Sequence, residues 1–397
     1  MEFAKVLITG GLGFIGRVIA AQLVARKCRV LLFDNLSVQI HGAIPDFTSA
    51  ALLHSAYAEV FRGDVNKPNH WAAVLNQVDA VIHLAANTGT AQSMYEISQY
   101  VDTNIGGTAM LLDYLANHKH KVKKVILGSS RAVYGEGAYR CPACGVVYPS
   151  ARSQETLEVG QWEPVCPGCH CQIDVVATAE DAKTDPASVY AVSKLAQEHL
   201  VRVGARALGI PAVIFRFQNV YGEGQSLRNP YTGILSIFST QLRLGKTVRV
   251  YEDGRETRDF VHVSDVGRAV VAGLFSDKGD GVTLNVGSGK PTSIKRVADL
   301  LGERFSTKLE PLISGEYRLG DIRHGYADLS AVHSHLHFVP QVDLEQGLTR
   351  FADWVKTQPV EPDRLDQAVA ELTSRGLMPG EATHSGGDHA RAKAASV

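Results

Sequence analysis

Short apolar runs alternate with segments of helical periodicity over roughly the first 220 residues. The runs are rich in Val, Ile and Leu, as is typical of strands buried on both faces of a parallel sheet: Lys5–Thr9, Arg29–Phe33, Ala80–His83, Lys124–Gly128 and Ala212–Phe217. Helix-period apolar faces predict helices between them, over Phe14–Arg26, Gln99–Asn117 and Ser188–Leu208. Strands that alternate with helices predict an α/β fold with a doubly wound parallel sheet.

The pattern becomes less regular after about residue 225. Tyr231–Leu244 and Ile294–Arg304 are predicted as helices and Thr283–Val286 as a strand, which together indicate a smaller C-terminal α+β lobe. We therefore expect three parts: residues 1–224 with an insertion at 136–185, residues 225–357, and residues 358–397. The last part combines a helix with a disordered tail, Gly380–Val397, which is rich in Gly, Ala, Ser and His.

Composition and charge limit the class of protein. Apolar residues make up 45% of the 397 and charged residues 20%, which suits a globular chain with a substantial core. The net charge of -1 gives no electrostatic reason to expect nucleic acid or a membrane surface as a partner. No apolar run reaches the roughly 18 residues that cross a bilayer. The N-terminus leads directly into a strand rather than a signal peptide, so we expect a cytoplasmic protein.

A glycine cluster follows the first strand and precedes the first helix. Gly11, Gly13 and Gly16 fit G-x-G-x-x-G, which permits a tight turn, close approach to a pyrophosphate and packing of helix against strand. The free N–H groups of the helix start face the phosphates. Asp34, at the end of the next strand, would accept the ribose hydroxyls of NAD and repel the 2′-phosphate of NADP. These features predict a Rossmann NAD-binding domain.

The spacing Gly10-x-x-Gly13-x-x-Gly16 resembles the extended branch of the short-chain dehydrogenase/reductase superfamily, whose members act on nucleotide sugars. Gly63-Asp64-Val65, His83-Leu84-Ala85-Ala86 and Asn104 with Gly107-Thr108 match further motifs of that family, in order. Taken by itself, His83 is more typical of a buried core histidine. The resemblance implies a cofactor site made of Gly10, Gly11, Gly13, Phe14, Ile15, Gly16, Asp34, Asn35, Asp64, Val65, Leu84, Ala85, Ala86, Asn104, Tyr190 and Lys194.

Tyr190-x-x-x-Lys194 places two reactive side chains on one face of a predicted helix. A nearby ammonium favours the phenolate of a tyrosine, whose ordinary pKa is about 10. In Ser129-Ser130-Arg131-Ala132-Val133-Tyr134-Gly135, Ser130 matches the catalytic hydroxyl of the family, whereas Ser129 is expected to support the strand end. The resemblance implies that Tyr190 moves a proton, Ser130 binds the substrate oxygen and Lys194 holds the nicotinamide ribose.

The same resemblance implies a nucleotide diphosphate sugar, linked to dTDP or UDP, as the substrate. Asn219, Arg258 and Arg318 match the residues that hold the diphosphate, for which guanidinium groups are well suited. Thr88 and Ser130 complete the expected substrate site. The segments Ala86–Tyr95 and Gly224–Gly233, together with the cysteine-containing insertion, are similar to the dTDP-L-rhamnose 4-epimerase subgroup.

Five of the six cysteines lie in the insertion between Ser130 and Tyr190, which is longer than in the family pattern. Two C-x-x-C pairs, Cys141 with Cys144 and Cys166 with Cys169, have nearly the spacing of a four-cysteine zinc ribbon. We expect a structural zinc there, because four thiolates leave no open position for catalysis. Cys171 or His170 is the alternative fourth ligand, and Cys28 is expected to lie in the core.

Together these features predict an NAD-dependent nucleotide-sugar 4-epimerase that works through a transient 4-keto sugar. Family dehydratases carry an Asp-Glu pair after the catalytic hydroxyl, whereas Arg131-Ala132 cannot supply an acid and a base. The alternatives are a 4,6-dehydratase, another nucleotide-sugar epimerase acting on a UDP-hexose, or a non-catalytic NAD-binding protein with a zinc-ribbon interaction module. The resemblance also implies a homodimer through the helices Gln99–Asn117 and Ser188–Leu208.

Overall fold

The computed structural model describes residues 3–42, 55–229 and 233–378. Strands and helices alternate up to the catalytic serine predicted from the sequence. In chain order they are β1 Lys5–Thr9, α1 Phe14–Ala25, β2 Arg29–Asp34, α2 Val38–His41, β3 Ala58–Arg62, α3 Pro68–Leu75, β4 Ala80–His83, α4 Thr90–Ser93, α5 Ile97–Tyr100, a π-helical segment Val101–Gly106, α6 Gly107–Asn117 and β5 Lys124–Ser130.

The insertion follows β5 and contains short elements. A 3₁₀ turn spans Arg131–Tyr134 and leads into β6 Tyr139–Cys141, β7 Gly145–Val147, α7 Gln154–Glu158 and β8 Asp174–Val175. The chain then forms a long helix and two strands, α8 Val189–Ala207, β9 Ala212–Phe217 and β10 Asn219–Tyr221. Strands β7, β6 and β8 pair side by side as a small antiparallel sheet that belongs to the insertion alone.

The C-terminal part contains the remaining elements. They are α9 Ile234–Arg243, β11 Arg249–Val250, β12 Thr257–His262, α10 Val263–Phe275, β13 Thr283–Val286, β14 Pro291–Ser293, α11 Ile294–Arg304, β15 Leu312–Ile313, α12 Ser330–Leu336, α13 Leu344–Thr357 and α14 Leu365–Ser374. The predicted disordered tail Gly380–Val397 lies outside the described residues, as do the first two residues of the predicted helix Tyr231–Leu244.

A seven-stranded parallel sheet in the order β13-β9-β5-β4-β1-β2-β3 forms the centre of the molecule. Apolar side chains of α1, α10 and α12 cover one face, and those of α3, α6 and α8 cover the other. The doubly wound sheet predicted from the sequence is therefore confirmed. The strand order reverses between β1 and β4, and this type of sheet binds ligands beside such a reversal.

Two strands of this sheet differ from the prediction. Thr283–Val286 was assigned to the smaller lobe, but as β13 it pairs with β9 at the edge of the main sheet. The assignment to the smaller lobe was wrong because a run of four apolar residues predicts a strand but does not indicate which other strand it will pair with. Edge strand β3 was missed because its side chains are mostly half-buried or exposed, so it lacks a continuous apolar run.

A second core lies in the C-terminal lobe, where α9, α11 and α13 pack together with Phe260 of β12. In the described residues, no helix combines the length and the apolar character needed to cross a bilayer.

Candidate active site

A cavity of about 710 Å³ opens at the carboxyl ends of the central strands. Most of the cofactor residues predicted from the sequence line it: Gly10, Gly13, Phe14, Ile15, Gly16, Asp34, Asn35, Asp64, Val65, Leu84, Ala85, Ala86, Tyr190 and Lys194. Thr88 and Asn219 from the predicted substrate set also line it. Gly11, Asn104 and Ser130 are not among the lining residues.

The glycine turn allows backbone to approach backbone at the floor of this cavity. Gly10 has a φ of +63°, and a Cβ there would lie 3.1 Å from the Ala85 nitrogen. A Cβ on Gly16 would collide with the Gly10 carbonyl. Gly11 is needed for packing, because its Cβ would lie 2.7 Å from the Ile8 carbonyl oxygen beneath the turn. The turn therefore fits a dinucleotide pyrophosphate, and this cradle is where NAD would bind.

Asp34 is held as a carboxylate at the ribose end of the cavity. Its oxygens accept the backbone N–H groups of Leu12 at 3.0 Å and Leu36 at 2.9 Å, and His41 Nε2 lies 3.4 Å from Oδ1. Burial alone would raise the pKa of Asp34, but these partners, His41 first, lower it below its usual value. The charged form therefore persists at neutral pH. His41 was missed from the sequence.

A buried hydrogen-bond chain runs from the end of β1 to Lys194. The Thr9 hydroxyl accepts the N–H groups of Leu84 and Ala85, so its own hydrogen is directed to His83 Nδ1 at 2.8 Å. His83 Nε2 lies 3.0 Å from the Thr108 hydroxyl, and burial lowers the pKa of His83 to about 3. His83 is thus a neutral core histidine.

The chain continues onto helix α8. Gln197 Nε2 donates to the Thr108 hydroxyl at 2.6 Å, and Gln197 Oε1 accepts from Lys194 Nζ at 2.7 Å. Burial lowers the pKa of Lys194 to about 7. The position of the ammonium is therefore set by side chains from β1, β4 and α6.

Asn104 is buried, and its side chain links neighbouring segments through hydrogen bonds. Its side-chain carbonyl accepts the Asn87 N–H at 2.8 Å, and its amide donates to Ser193 Oγ at 2.8 Å. These bonds join the π-helical segment, the loop after β4 and helix α8. Asn104 therefore supports the loop that carries Thr88, and its contact with the cofactor stays a prediction.

Tyr190 and Lys194 lie on one face of α8, as their spacing predicts. The helix starts at Ser188, whose hydroxyl accepts the Ala191 N–H at 3.2 Å. The Tyr190 N–H donates to Ser93 Oγ at 3.0 Å. Burial raises the pKa of Tyr190, and a side-chain hydrogen bond with Ser130 partly offsets this rise. The three catalytic residues predicted from the sequence therefore come together from β5 and α8.

Behind these residues lies a charge network that the sequence analysis missed. Glu198 Oε1 accepts from the Ser129 hydroxyl at 2.6 Å, and the carboxylate binds Arg216 through Nε at 2.9 Å and Nη2 at 2.7 Å. The Arg216 guanidinium lies 4.7 Å above the ring centre of Tyr134. The structure supports the expected structural role of Ser129. Glu198 lies four residues after Lys194, so helical periodicity alone could have placed the two side chains on the same face of α8.

A second cavity of about 170 Å³ adjoins the first at Asn219, which lines both. It contains Arg258 and Arg318, and Arg318 lies 4.7 Å above the ring centre of Tyr251. The Arg318 Nε is buried without a hydrogen-bond partner among the described residues. Two guanidinium groups in one small cavity suit a diphosphate. Glu256 also lines it and was missed; burial raises its pKa to about 7.

The four cysteines predicted as metal ligands come together in the insertion. The sulfur atoms of Cys141, Cys144, Cys166 and Cys169 all lie within 4.8 Å of one another. Tetrahedral zinc with Zn–S bonds of about 2.3 Å places sulfurs about 3.8 Å apart, so this donor set fits the ion. Among the described residues, neither alternative ligand belongs to the group: Cys171 and His170 lie outside it. Cys28 is buried in the main core, as expected.

Residues 6–153 and 165–287 match the model of the NAD-dependent epimerase/dehydratase family. The chain is 41% identical over 353 residues to a dTDP-L-rhamnose 4-epimerase from Burkholderia thailandensis, a match that covers 88% of this chain and 94% of that protein. It is 28% identical over 353 residues to a putative UDP-glucose 4-epimerase from Methanocaldococcus jannaschii, covering 88% and 98% of the two chains.

A solved structure is similar over almost the whole length. The UDP-glucuronic acid 4-epimerase from Bacillus cereus, in complex with UDP-glucuronic acid and NAD, superimposes with a TM-score of 0.73 at 26% identity. The match covers 89% of this chain and 99% of that one.

Proposed function

The chain belongs to the NAD-dependent epimerase/dehydratase family, and we propose that it is a nucleotide-sugar 4-epimerase whose substrate is dTDP-L-rhamnose. The observation that carries the reaction is that Tyr190 and Lys194 line the cofactor cavity and that Ser130 forms a hydrogen bond with Tyr190. The cavity that holds Arg258 and Arg318 lies next to the cofactor cavity. The name and the 41% identity of the Burkholderia relative support the choice of dTDP-L-rhamnose.

Each residue of the site has a separate role in the proposed 4-epimerisation. Tyr190 acts as its phenolate, the form that the Lys194 ammonium and the positive nicotinamide of bound NAD would favour. It removes the proton of the sugar 4-hydroxyl while Ser130 donates a hydrogen bond to the same oxygen. NAD, when bound, supplies the hydride acceptor at C4 and later the hydride donor. Arg258 and Arg318 keep the diphosphate in place while the 4-keto sugar turns its other face towards the cofactor. Tyr190 then returns the proton, so the net reaction consumes neither oxidant nor reductant.

Arg131 and Ala132 favour epimerisation over 4,6-dehydration. A dehydratase needs an acid and a base near C5 and C6 of the sugar. Burial, with the charge of Arg258 as a further cause, lowers the pKa of Arg131 only to about 10, so Arg131 stays protonated at neutral pH. Its Nη2 donates to the Gly135 carbonyl at 2.8 Å, and Ala132 has no proton to exchange.

Product analysis by NMR tests the function. Purified protein is incubated, without added NAD, with dTDP-L-rhamnose and separately with dTDP-glucose and UDP-glucose. We expect dTDP-L-rhamnose to yield a C4 stereoisomer of unchanged mass. A 4-keto-6-deoxy sugar from either glucose nucleotide would show a dehydratase instead. If UDP-glucose is epimerised and dTDP-L-rhamnose is not, the substrate is a UDP-sugar instead.

The proposal includes a structural zinc at Cys141, Cys144, Cys166 and Cys169. Support comes from the four sulfur atoms gathered within 4.8 Å and from the two C-x-x-C turns that present them. Zinc bound by four thiolates would stabilise an insertion that has only short strands of its own. None of the six cysteines, all of which the structure describes, forms a disulfide, which suits the reducing cytoplasm that we also propose as the location of the protein.

We further propose a homodimer. The helical surface formed by α5, the π-helical segment and α8 exposes several large apolar side chains, namely Ile97, Val101, Val192 and Val203. Val192 and Val203 are 50% and 58% exposed on the same helix. A second copy of the chain would cover this surface, which is the one that the family resemblance implies.

A further inference from the structure

The side chain of Arg258 is held in place by backbone carbonyl groups, most of them in a neighbouring segment. Its Nη1 donates to the Thr257 carbonyl at 2.9 Å and to the Arg323 carbonyl at 3.1 Å, and its Nη2 donates to the Ile322 carbonyl at 2.8 Å. These bonds use three of the five N–H groups of a guanidinium. The two that remain, on Nη2 and Nε, have no hydrogen-bond partner in the part of the chain that the structure describes and could bind a diphosphate. The direction in which they point follows from the position of residues 321–323.

The insertion binds both ends of that three-residue segment. The Arg323 N–H donates to Glu136 Oε2 at 2.9 Å, and Arg152 Nη2 donates to the Asp321 carbonyl at 3.0 Å. Arg152 also binds Glu252, which lines the smaller cavity, at 2.8 Å. The insertion is thus attached by charged side chains to the part of the C-terminal lobe that holds Arg258.

The Arg323 side chain provides a third attachment. Its guanidinium has no exposed surface, and such a charge requires compensating partners. Glu163 of the insertion accepts from Nε at 2.8 Å and from Nη2 at 2.6 Å, and Asp253 and Glu252 of the lobe supply further carboxylates. The other Glu163 oxygen lies 3.1 Å from His324 Nε2. Glu163 therefore joins the insertion to two consecutive residues of the lobe.

All three insertion residues lie close in sequence to the cysteine cluster. Glu136 precedes Cys141, Arg152 follows Cys144 and Glu163 precedes Cys166. Fixing the four sulfur atoms on one ion would hold these segments in a constant relation to one another.

We propose that the insertion is a positioning device for the diphosphate site: Glu163, with Glu136 and Arg152, fixes residues 321–323, and that segment fixes the guanidinium of Arg258. This inference rests on the proposed function, in which Arg258 binds the substrate diphosphate. None of the three insertion residues lines the cofactor cavity. Disturbing them should therefore weaken binding of the nucleotide sugar and leave binding of NAD unchanged.

The test compares Glu163→Gln with Glu155→Gln, the same chemical change at an exposed glutamate of the insertion. The Glu163 side chain is 57% exposed, so its substitution should not prevent folding. Measurements are the Kd for dTDP by calorimetry, KM and kcat for the nucleotide sugar, bound NAD and zinc content. We expect Glu163→Gln to increase Kd and KM by a factor of about 10 to about 100. A displacement of the Arg258 guanidinium by about 1 Å would have an effect of this size.

In the same comparison kcat should change less than KM, and NAD and zinc content should match the wild type. Glu155→Gln should behave as the wild type throughout. A shorter carboxylate, in Glu163→Asp, should restore part of the dTDP affinity. Wild-type Kd and KM in Glu163→Gln, or a parallel loss of NAD and dTDP binding, would overturn the inference. Wild-type protein that binds no nucleoside diphosphate would overturn the proposed function and this inference with it.

Discussion

In the proposed reaction, single side chains carry out the proton transfer at C4. Tyr190 is half-buried and forms a side-chain hydrogen bond with Ser130. Lys194 Nζ donates to Gln197 and the Tyr190 N–H donates to Ser93, and these contacts fix the positions of the two side chains. The proposed reaction therefore depends on the hydroxyl groups of Tyr190 and Ser130, and a substitution can remove each one separately.

Tyr190→Phe should nearly abolish turnover, because it removes the group that takes the 4-hydroxyl proton. Ser130→Ala should lower kcat by a factor on the order of 10² to 10⁴, the usual contribution of a positioned proton-transfer group. Both changes are measured by NMR product formation. Bound NAD, read from absorbance after denaturation, is the control and should stay at the wild-type level. Substantial turnover in Tyr190→Phe would contradict the assignment.

Glu198 is a residue whose main contribution is to stability. It is fully buried, and it neutralises Arg216 through two hydrogen bonds. Glu198→Gln leaves Arg216 without its carboxylate, so the free energy of unfolding should fall by about 3 kcal/mol. Chemical denaturation measures this difference. The matched control, Glu303→Gln on the exposed side of α11, should change stability by less than about 0.5 kcal/mol. Equal effects of the two changes would count against the network.

At the scale of elements, helix α8 serves two surfaces. Tyr190, Lys194 and Glu198 follow one another at four-residue intervals along the helix. Lys194 and Glu198 are buried and Tyr190 is half-buried at the cavity, whereas Val192 and Val203 lie on the exposed face. In the proposed function, this one helix would position the catalytic groups and also offer an apolar surface to a second copy of the chain. Because the two faces are separate, dimer formation and catalysis can be changed independently.

Val192→Lys should convert the proposed dimer to a monomer, because it would bury an unpaired ammonium in an apolar interface. Light scattering after size-exclusion chromatography should show the mass falling by about half. Val159→Lys, at a 70% exposed valine in the insertion, is the control and should keep the wild-type mass. A dimer of unchanged mass in Val192→Lys would exclude α8 from the interface.

At the scale of the whole molecule, the insertion connects the NAD-binding sheet to the C-terminal lobe. It leaves the sheet after β5, returns to it at α8, and in between contacts residues 321–324 of the lobe. A metal site inside this insertion would therefore influence the substrate side of the molecule, although it contributes no catalytic group.

Cys144→Ser should lose zinc, and Cys171→Ser should retain it. Both cysteines are exposed, but only Cys144 belongs to the group of four sulfurs in the described residues. Since changes outside a ligand set already lower metal affinity by about 10- to 100-fold, loss of a ligand should exceed about 100-fold. Elemental analysis measures the zinc bound per chain. Metal-replete wild-type protein without zinc, with six freely titratable thiols, would refute the site.

Local patterns in the sequence by themselves determined much of the protein. The five apolar runs became strands β1, β2, β4, β5 and β9, with β2 and β5 extended at their carboxyl ends. The glycine turn, Tyr-x-x-x-Lys and the two C-x-x-C pairs were also recognisable. Each of these features depends on residues a few positions apart, so spacing and periodicity are enough to predict it.

Contacts between distant segments were decided only by the tertiary structure. The Ser129 hydroxyl donates to Glu198, which lies 69 positions further along the chain. The Arg323 N–H donates to Glu136 over a separation of 187 positions. The same holds for the pairing of β13 with β9 and for Asn104, whose side chain links neighbouring segments instead of lining the cavity. These partners share no periodic pattern in one sequence. Packing of the sheet and the insertion brings them together, because buried polar groups must find hydrogen-bond partners wherever the fold places them.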